Sequence, residues 1–209
     1  MTVMQYPPAL IQFAKWPRKG QVKTRLAAEL GEHKALEAHL VLTDTVLRNL
    51  MDSGYPLTFW WDREMTETPI EAEGILLRLR KGGIPQRVQQ GADLGERMTH
   101  ALDEAITTVG AGLVVGSDCP AVTPDYVHRA AQALETADVV LGPSDDGGFV
   151  LIGARRTVPG MLDGPAWGSE QALEQSLEAL NQKGLQVVCL EALWDVDEPE
   201  DWTRFQRLR

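Results

Sequence analysis

The chain of 209 residues carries 20 Lys and Arg against 30 Asp and Glu, a formal charge of −10. That balance argues against a nucleic-acid partner, which needs a basic face. With 44% hydrophobic and 24% charged residues, the composition is that of an ordinary globular protein rather than a fibrous or disordered one.

At this length a single α/β domain over 1–209 is expected. The amino terminus lacks the basic-then-apolar pattern of a signal peptide, and no apolar run approaches ~18 residues. The expectation is a cytoplasmic protein without membrane insertion. The two cysteines, Cys119 and Cys189, each end or follow a predicted strand, so both are expected to be reduced and at least partly buried. Neither has zinc-type spacing to other ligands.

The first strand is Ala9 to Ala14. It feeds a basic loop, Lys15 to Arg25, in which five of eleven residues are cationic within an otherwise acidic protein. Such a loop after the first strand suits a phosphate-gripping element, although Lys23-Thr24 lacks the glycines of a Walker loop. A helix is expected from about Glu32 to Asp52, with Leu36, Leu40, Leu47 and Leu50 forming its apolar stripe and Gly54 beyond its end. Pro56 to Trp61 reads as the second strand. Its paired tryptophans face opposite ways, so packing is favoured over base stacking.

Thr68-Pro69 is expected to open a helix through Leu79, closed by Gly82-Gly83. Gln86 to Gln90 makes a short strand at best. Asp93 is the expected N-cap of the next helix, with Glu96 completing a capping-box pattern and Leu94, Met98, Ala101, Leu102, Ala105 and Ile106 facing inward. Arg97, on the first turn, is placed to point at a ligand.

Leu113 to Val115 is a short buried strand ending in Gly116-Ser117-Asp118-Cys119-Pro120. A carboxylate at a strand's carboxyl end, beside small neighbours, approaches a metal or phosphate closely. A helix from Pro124 to about Glu135 follows, with Thr123 as N-cap. Asp138 to Gly142 is the next strand. Pro143 to Gly148 then holds Asp145-Asp146-Gly147-Gly148 before the apolar run Phe149 to Gly153, which reads as a hairpin turn that also faces a ligand. A loop from Gly160 to Gly168 contains Trp167, Ser169 is the expected cap of a helix through Asn181, and Gln186 to Leu190 is the last sizeable strand. Asp195 and Asp197 precede a terminal helix whose early acids, Glu200 and Asp201, suit its dipole.

Strands alternating with helices imply a three-layer α/β/α arrangement around a mostly parallel mixed sheet. The basic loop, Asp118, Asp145/Asp146 and Asp197 all fall at strand ends, where they can converge on one crevice.

Several stretches together resemble the DUF2064 family: Ala14 to Pro17 with Gly20 to Leu26, Asp93 to Met98, Gly116 to Pro120, Gly142 to Phe149, and Asp195 to Asp201. The resemblance runs in order over nearly the whole chain. It implies the glycosyltransferase-A-type, nucleotide-diphospho-sugar transferase fold and similarity to phospholactate guanylyltransferases and molybdenum-cofactor nucleotidyltransferases. It places Asp118 where related enzymes bind metal, and Asp197 where nucleotidyltransferases carry an Asn or Asp before Pro-Glu-Asp. The first loop here holds one glycine, Gly20, where sugar nucleotidyltransferases are glycine-rich. Ser117-Asp118-Cys119 offers a single acid where glycosyltransferases of this fold carry Asp-x-Asp, and Phe149 stands where the family often has Tyr.

The implied activity is metal-dependent nucleotidyl transfer from a nucleoside triphosphate to a small phosphorylated or hydroxyl acceptor. Glycosyl transfer from a nucleotide sugar and non-catalytic nucleotide binding are the alternatives. Lys15, Lys23, Thr24, Arg25, Arg97 and Ser117 are expected on the nucleotide phosphates. Asp145, Asp146, Gly147, Gly148 and Trp167 are expected around the acceptor. Asp118, Asp146 and Lys23 are expected in catalysis. Asp118 and Asp197, with Asp195 as substitute for Asp197, are expected to ligate Mg²⁺ or Mn²⁺.

Overall fold

A computed structural model describes residues 7–208. Among them seven strands form one sheet: β1 (Ala9–Ala14), β2 (Leu57–Trp61), β3 (Gln86–Val88), β4 (Gly112–Val115), β5 (Val139–Pro143), β6 (Phe149–Ala154) and β7 (Val187–Cys189). Their order is β3-β2-β1-β4-β6-β5-β7. β1 pairs in parallel with β2 and β4, β2 with β3, and β5 with β7. β6 runs antiparallel to both β4 and β5, because the Asp-Gly-Gly turn returns the chain immediately as a hairpin. The sheet is therefore mixed and mostly parallel, as expected.

Among the described residues seven helices accompany it: α1 (Thr24–Leu30), α2 (Glu32–Asp52), α3 (Glu73–Gly82), α4 (Leu94–Val109), α5 (Pro124–Ala133), α6 (Ala172–Gln182) and α7 (Pro199–Leu208). Strand residues alternate between two cores. Leu10, Phe59, Leu113 and Val115 pack with Val46, Leu47 and Leu50 of α2, Leu79 of α3 and Val127 of α5. Ile11, Phe13, Trp60 and Val114 pack with Met98, Ala101 and Leu102 of α4 and Leu180 of α6. Burying each such side chain contributes about 1.5–3 kcal/mol. The two tryptophans of β2 are both 3% exposed and serve these cores. A third cluster ties α7 to α1 and α2 through Leu26, Leu42, Val196, Trp202 and Phe205.

Several local expectations are corrected. α3 is preceded by one 3₁₀ turn, Ile70–Ala72, so Thr68-Pro69 does not open it. Ser169 does not cap α6: Gln171 is its N-cap, and Ser169 Oγ accepts from the Gln171 amide at 3.3 Å. The short α1 begins at Thr24, in the last two residues of the expected basic loop, and runs on to Leu30. Leu94 is 41% exposed rather than inward. Cys119 is buried, but Cys189, on the edge strand β7, is exposed. The Asp93 cap is present, its carboxylate accepting from the Glu96 amide at 2.9 Å, while Glu96 reaches the Ala92 amide rather than that of Asp93.

Strand order reverses between β1 and β4, since the chain winds from β1 to β3 in one direction and then crosses back through α4. The carboxyl ends of β1 and β4 thus open into a crevice at the switch point.

Candidate functional site

A cleft of about 600 Å³ occupies that crevice, a volume suited to a small-molecule ligand. One wall begins at the end of β1. Trp16 is clamped there: its ring stacks on Trp61 at 3.7 Å, its amide donates to Asp62 Oδ1 at 2.8 Å, and its indole N–H donates to the Arg63 carbonyl at 2.9 Å. The Lys15 carbonyl is held by Nε2 of His39, at 3.0 Å, from the buried face of α2. This contact needs the proton on Nε2. Burial lowers the His39 pKa, more than the attraction of Asp118 raises it.

The loop then turns sharply at Lys23, the N-cap of α1, with φ 47° and ψ 51°. It is the one non-glycine residue with positive φ among the described residues. A lysine in the left-handed region is uncommon and persists only where surrounding contacts enforce it. Here Nζ donates to the Val196 carbonyl at 2.5 Å and lies 3.0 Å from Asp118 Oδ1 and 3.8 Å from Asp197 Oδ1. Its side chain is 5% exposed. Two residues on, Arg25 meets Asp197 Oδ2 at 2.5 Å.

The acids come from opposite ends of the topology. Asp118 follows β4, and its carbonyl accepts from the Val196 amide at 3.0 Å. Cys119 donates its thiol to the Trp194 carbonyl at 3.2 Å, so residues 194–196 are stitched across the sheet's carboxyl edge. Asp201, in the first turn of α7, reaches back to the amides of Asp197 and Glu198 at 3.3 and 3.0 Å and fixes the approach of Asp197. Burial alone raises the Asp118 pKa, but Lys23 and His39 outweigh it and hold the carboxyl below its usual value. Asp195 shows the opposite balance: burial, then the neighbouring Asp146, push its carboxyl up to about 6.

The far wall is mostly apolar. Phe13, Leu94, Met98, Ile152, Phe149 and Trp167 line it, with Phe149 and Trp167 edge to face at 6.0 Å. The Trp167 indole N–H has no partner among the described residues. Arg97 stands beside these groups, its guanidinium donating to the carbonyls of Gly91 and Asp62. In the hairpin turn, Asp146 Oδ1 accepts from Ser144 Oγ at 2.5 Å and the Gly148 amide at 3.0 Å, and its other oxygen has no partner among the described residues.

Of the residues expected from sequence, Lys15, Lys23, Thr24, Arg25, Arg97, Ser117, Asp118, Asp146, Gly148, Trp167, Asp195 and Asp197 all line this one cleft. Asp145 and Gly147 do not. Asp145 is exposed, with its amide bonded to the Leu193 carbonyl. Gly147 has φ 84°, and a Cβ there would overlap the Glu170 carbonyl oxygen, so this glycine is required by the turn. Ser117 is engaged: its hydroxyl donates to the Phe13 carbonyl at 2.7 Å and accepts from Gln12 Nε2 at 3.1 Å, a tie between β1 and β4. Sequence reasoning missed His39, Asp62 and Gln89 as lining residues. His39 sits at an apolar-stripe position of α2, and only its polar type among leucines hinted at a role.

Among the described residues no group of three or more His, Cys, Asp or Glu is arranged to hold a metal. Asp118 and Asp197 nevertheless share one cation, Lys23, with side chains 49% and 33% exposed to the cleft. Two carboxylates completed by substrate phosphates and waters are a usual donor set for Mg²⁺, so the residues fit such an ion.

A family model described as "Uncharacterized protein conserved in bacteria (DUF2064)" matches residues 54–169. The chain is 34% identical over 108 residues to the 2-phospho-L-lactate guanylyltransferase of Methanopyrus kandleri, a match spanning 50% of this chain and 55% of that protein. The chain thus spans about half the length of that curated relative. Among solved structures, it resembles a protein of Desulfovibrio desulfuricans G20 whose assignment as a nucleotide-diphospho-sugar transferase is provisional. There the identity is 28%, the coverage 96% of this chain and 86% of that one, and the TM-score 0.83. Rv0371c of Mycobacterium tuberculosis H37Rv, solved in complex with manganese, is 15% identical over 96% of this chain and 98% of its own, with a TM-score of 0.52, a likeness of fold alone. No described helix is long and apolar enough to cross a membrane.

Proposed function

The chain belongs to the DUF2064 family, and from that premise we propose that it is a nucleotidyltransferase that moves a nucleoside monophosphate from a triphosphate to a small phosphorylated or hydroxyl acceptor. The observation that carries this reading is the convergence of Lys23, Arg25, Asp118 and Asp197 at the switch point of the sheet. An acceptor oxygen attacks the α-phosphorus, the bond from that phosphorus to the bridging oxygen breaks, and pyrophosphate leaves. Lys15, Lys23 and Arg25 hold the phosphates, Arg25 by a bidentate fork and the lysines as point charges. Asp146, with one oxygen locked in the turn, orients the acceptor or takes its proton with the other. The apolar wall around Phe149 and Trp167 excludes water from the reacting groups. A divalent cation, Mg²⁺ or Mn²⁺, would be held by Asp118 and Asp197 and would neutralise charge on the transferred phosphoryl group.

The protein's contribution is then position and charge rather than covalent chemistry. Similarity to the guanylyltransferase of Methanopyrus kandleri supports nucleotidyl transfer. Sugar transfer is less well supported: Ser117-Asp118-Cys119 offers one acid in place of an Asp-x-Asp pair, with Ser117 tied to β1 and Cys119 buried. The test is product analysis with each nucleoside triphosphate, Mg²⁺ and a panel of phosphorylated and hydroxylated acceptors. Acceptor-dependent pyrophosphate release supports the reading. Release of free nucleoside diphosphate from a nucleotide sugar, with no pyrophosphate from any triphosphate, overturns it.

A further inference from the structure

Resting on the reading of Asp118 and Asp197 as the cation-holding pair, we propose that Lys23 is the resident counter-cation of that pair, so that a divalent ion is admitted only together with a nucleoside triphosphate. Lys23 Nζ is 3.0 Å from Asp118 Oδ1 and 3.8 Å from Asp197 Oδ1. The ammonium thus already stands between the two carboxylates, within ion-pair reach of both.

This placement is built rather than incidental. The side chain is 5% exposed, unlike an ordinary surface lysine. A further N–H is taken by the Val196 carbonyl at 2.5 Å. The backbone is held in the left-handed region, which a lysine adopts only under constraint. Val196 is in turn fixed, its amide donating to the Asp118 carbonyl at 3.0 Å. Asp197 Oδ2 meets Arg25 at 2.5 Å, so both oxygens of that carboxylate face cations.

A divalent ion entering alone must therefore displace an ammonium that the Val196 carbonyl holds in place, or stand beside it at close range where screening is weak. A triphosphate changes the balance. Its oxygens offer Lys23 and Arg25 charge-assisted hydrogen bonds, and the two carboxylates are then left for the ion that the triphosphate carries. Lys23 in this way links the two halves of the site, and the same ammonium serves the acids in one state and the phosphates in the other.

The experiment is Mn²⁺ titration of the full chain, followed through the paramagnetic resonance signal of the free ion, with and without a non-hydrolysable triphosphate analogue. For the wild type the analogue is expected to raise Mn²⁺ affinity at least roughly tenfold beyond what the analogue chelates in a protein-free control, the scale of losing or gaining one charged partner. Lys23→Gly removes the ammonium while accepting the positive φ without strain. It is expected to bind Mn²⁺ without nucleotide at least roughly tenfold more tightly than the wild type, on the same scale, and adding Asp118→Asn is expected to abolish that gain. If Lys23→Gly, shown folded by circular dichroism, binds Mn²⁺ no better than the wild type, the inference is wrong. Tight Mn²⁺ binding by the nucleotide-free wild type that Asp118→Asn removes would overturn the counter-cation role and leave the metal pair standing. Absence of Mn²⁺ binding in both proteins, with and without nucleotide, would remove the metal pair and the inference with it. Should Lys23→Gly fail to fold, the two wild-type titrations decide the matter.

Discussion

Replacing Asp195 by Asn should stabilise the protein in a pH-dependent way. Asp195 lies on the segment that crosses the sheet edge, and its carboxyl is pushed up from 3.8 to about 6, first by burial and then by Asp146, with Asp118 adding to the repulsion and Lys23 opposing it. A carboxyl whose folded pKa is raised favours the folded state when protonated. That contribution is fully present below the unfolded value of 3.8 and is lost as pH rises through about 6. Above that point the fold carries a partly buried, repelled carboxylate. A shift of about two units corresponds to on the order of 2–3 kcal/mol, and partial exposure to the cleft argues for the lower end. Asn keeps the shape without the charge. Urea unfolding of wild type and Asp195→Asn, in EDTA, should show nearly equal stability near pH 4. Near pH 8 the variant should be ahead by about 2 kcal/mol, a rise in melting temperature of roughly 4–8 °C for a chain of this size. A constant difference at all pH values, or a wild type that is the more stable at pH 8, would refute the assignment of a strained carboxylate at this position.

Arg25→Ala should weaken triphosphate binding by on the order of 1.5–3 kcal/mol by calorimetry, because it removes a charged fork from the phosphates; unchanged affinity would take Arg25 off the nucleotide. Asp201→Ala frees the amides of Asp197 and Glu198 and should cost about 1 kcal/mol of stability, with a larger proportional loss of nucleotide affinity than of melting temperature. Gly147→Ala must place a Cβ against the Glu170 carbonyl at positive φ and should cost roughly 2 kcal/mol or more in chemical denaturation. Cys119 is 1% exposed with its thiol pushed up to about 12, chiefly by burial, so a thiol reagent should modify Cys189 alone in the native protein and both cysteines after unfolding; native modification of Cys119 would contradict its placement.

Much of this was legible in the chain before its structure. The bounds of α2 and β1 follow from apolar stripes that are long or unbroken, and the caps at Asp93 and Thr123 are sequence signals that became hydrogen bonds. The hairpin that makes β6 antiparallel is written in Asp-Gly-Gly. The helix α1 was hidden because its N-cap is a lysine in the left-handed region, with no side-chain cap to announce it. Clustering of Lys23, Arg25, Asp118 and Asp197 was inferable from strand ends, but the ammonium between the acids was not, since it depends on how Val196 closes over Asp118. His39 was illegible for a different reason: on a buried helix face it obeys the same periodicity as the leucines around it. Ser117 lines the cleft and also ties β1 to β4, whereas Gly147 lies outside it, its place explained by a backbone crossing.

The most direct test of the central claim, that the basic loop and two distant carboxylates form one triphosphate–metal site, is a crystal structure with Mn²⁺ and a non-hydrolysable triphosphate, read by anomalous scattering. A manganese peak coordinated by both Asp118 and Asp197, with phosphate oxygens on Lys23 and Arg25, is the predicted result. A bound triphosphate with no ion between those carboxylates, or with Lys23 still bridging them, would contradict it.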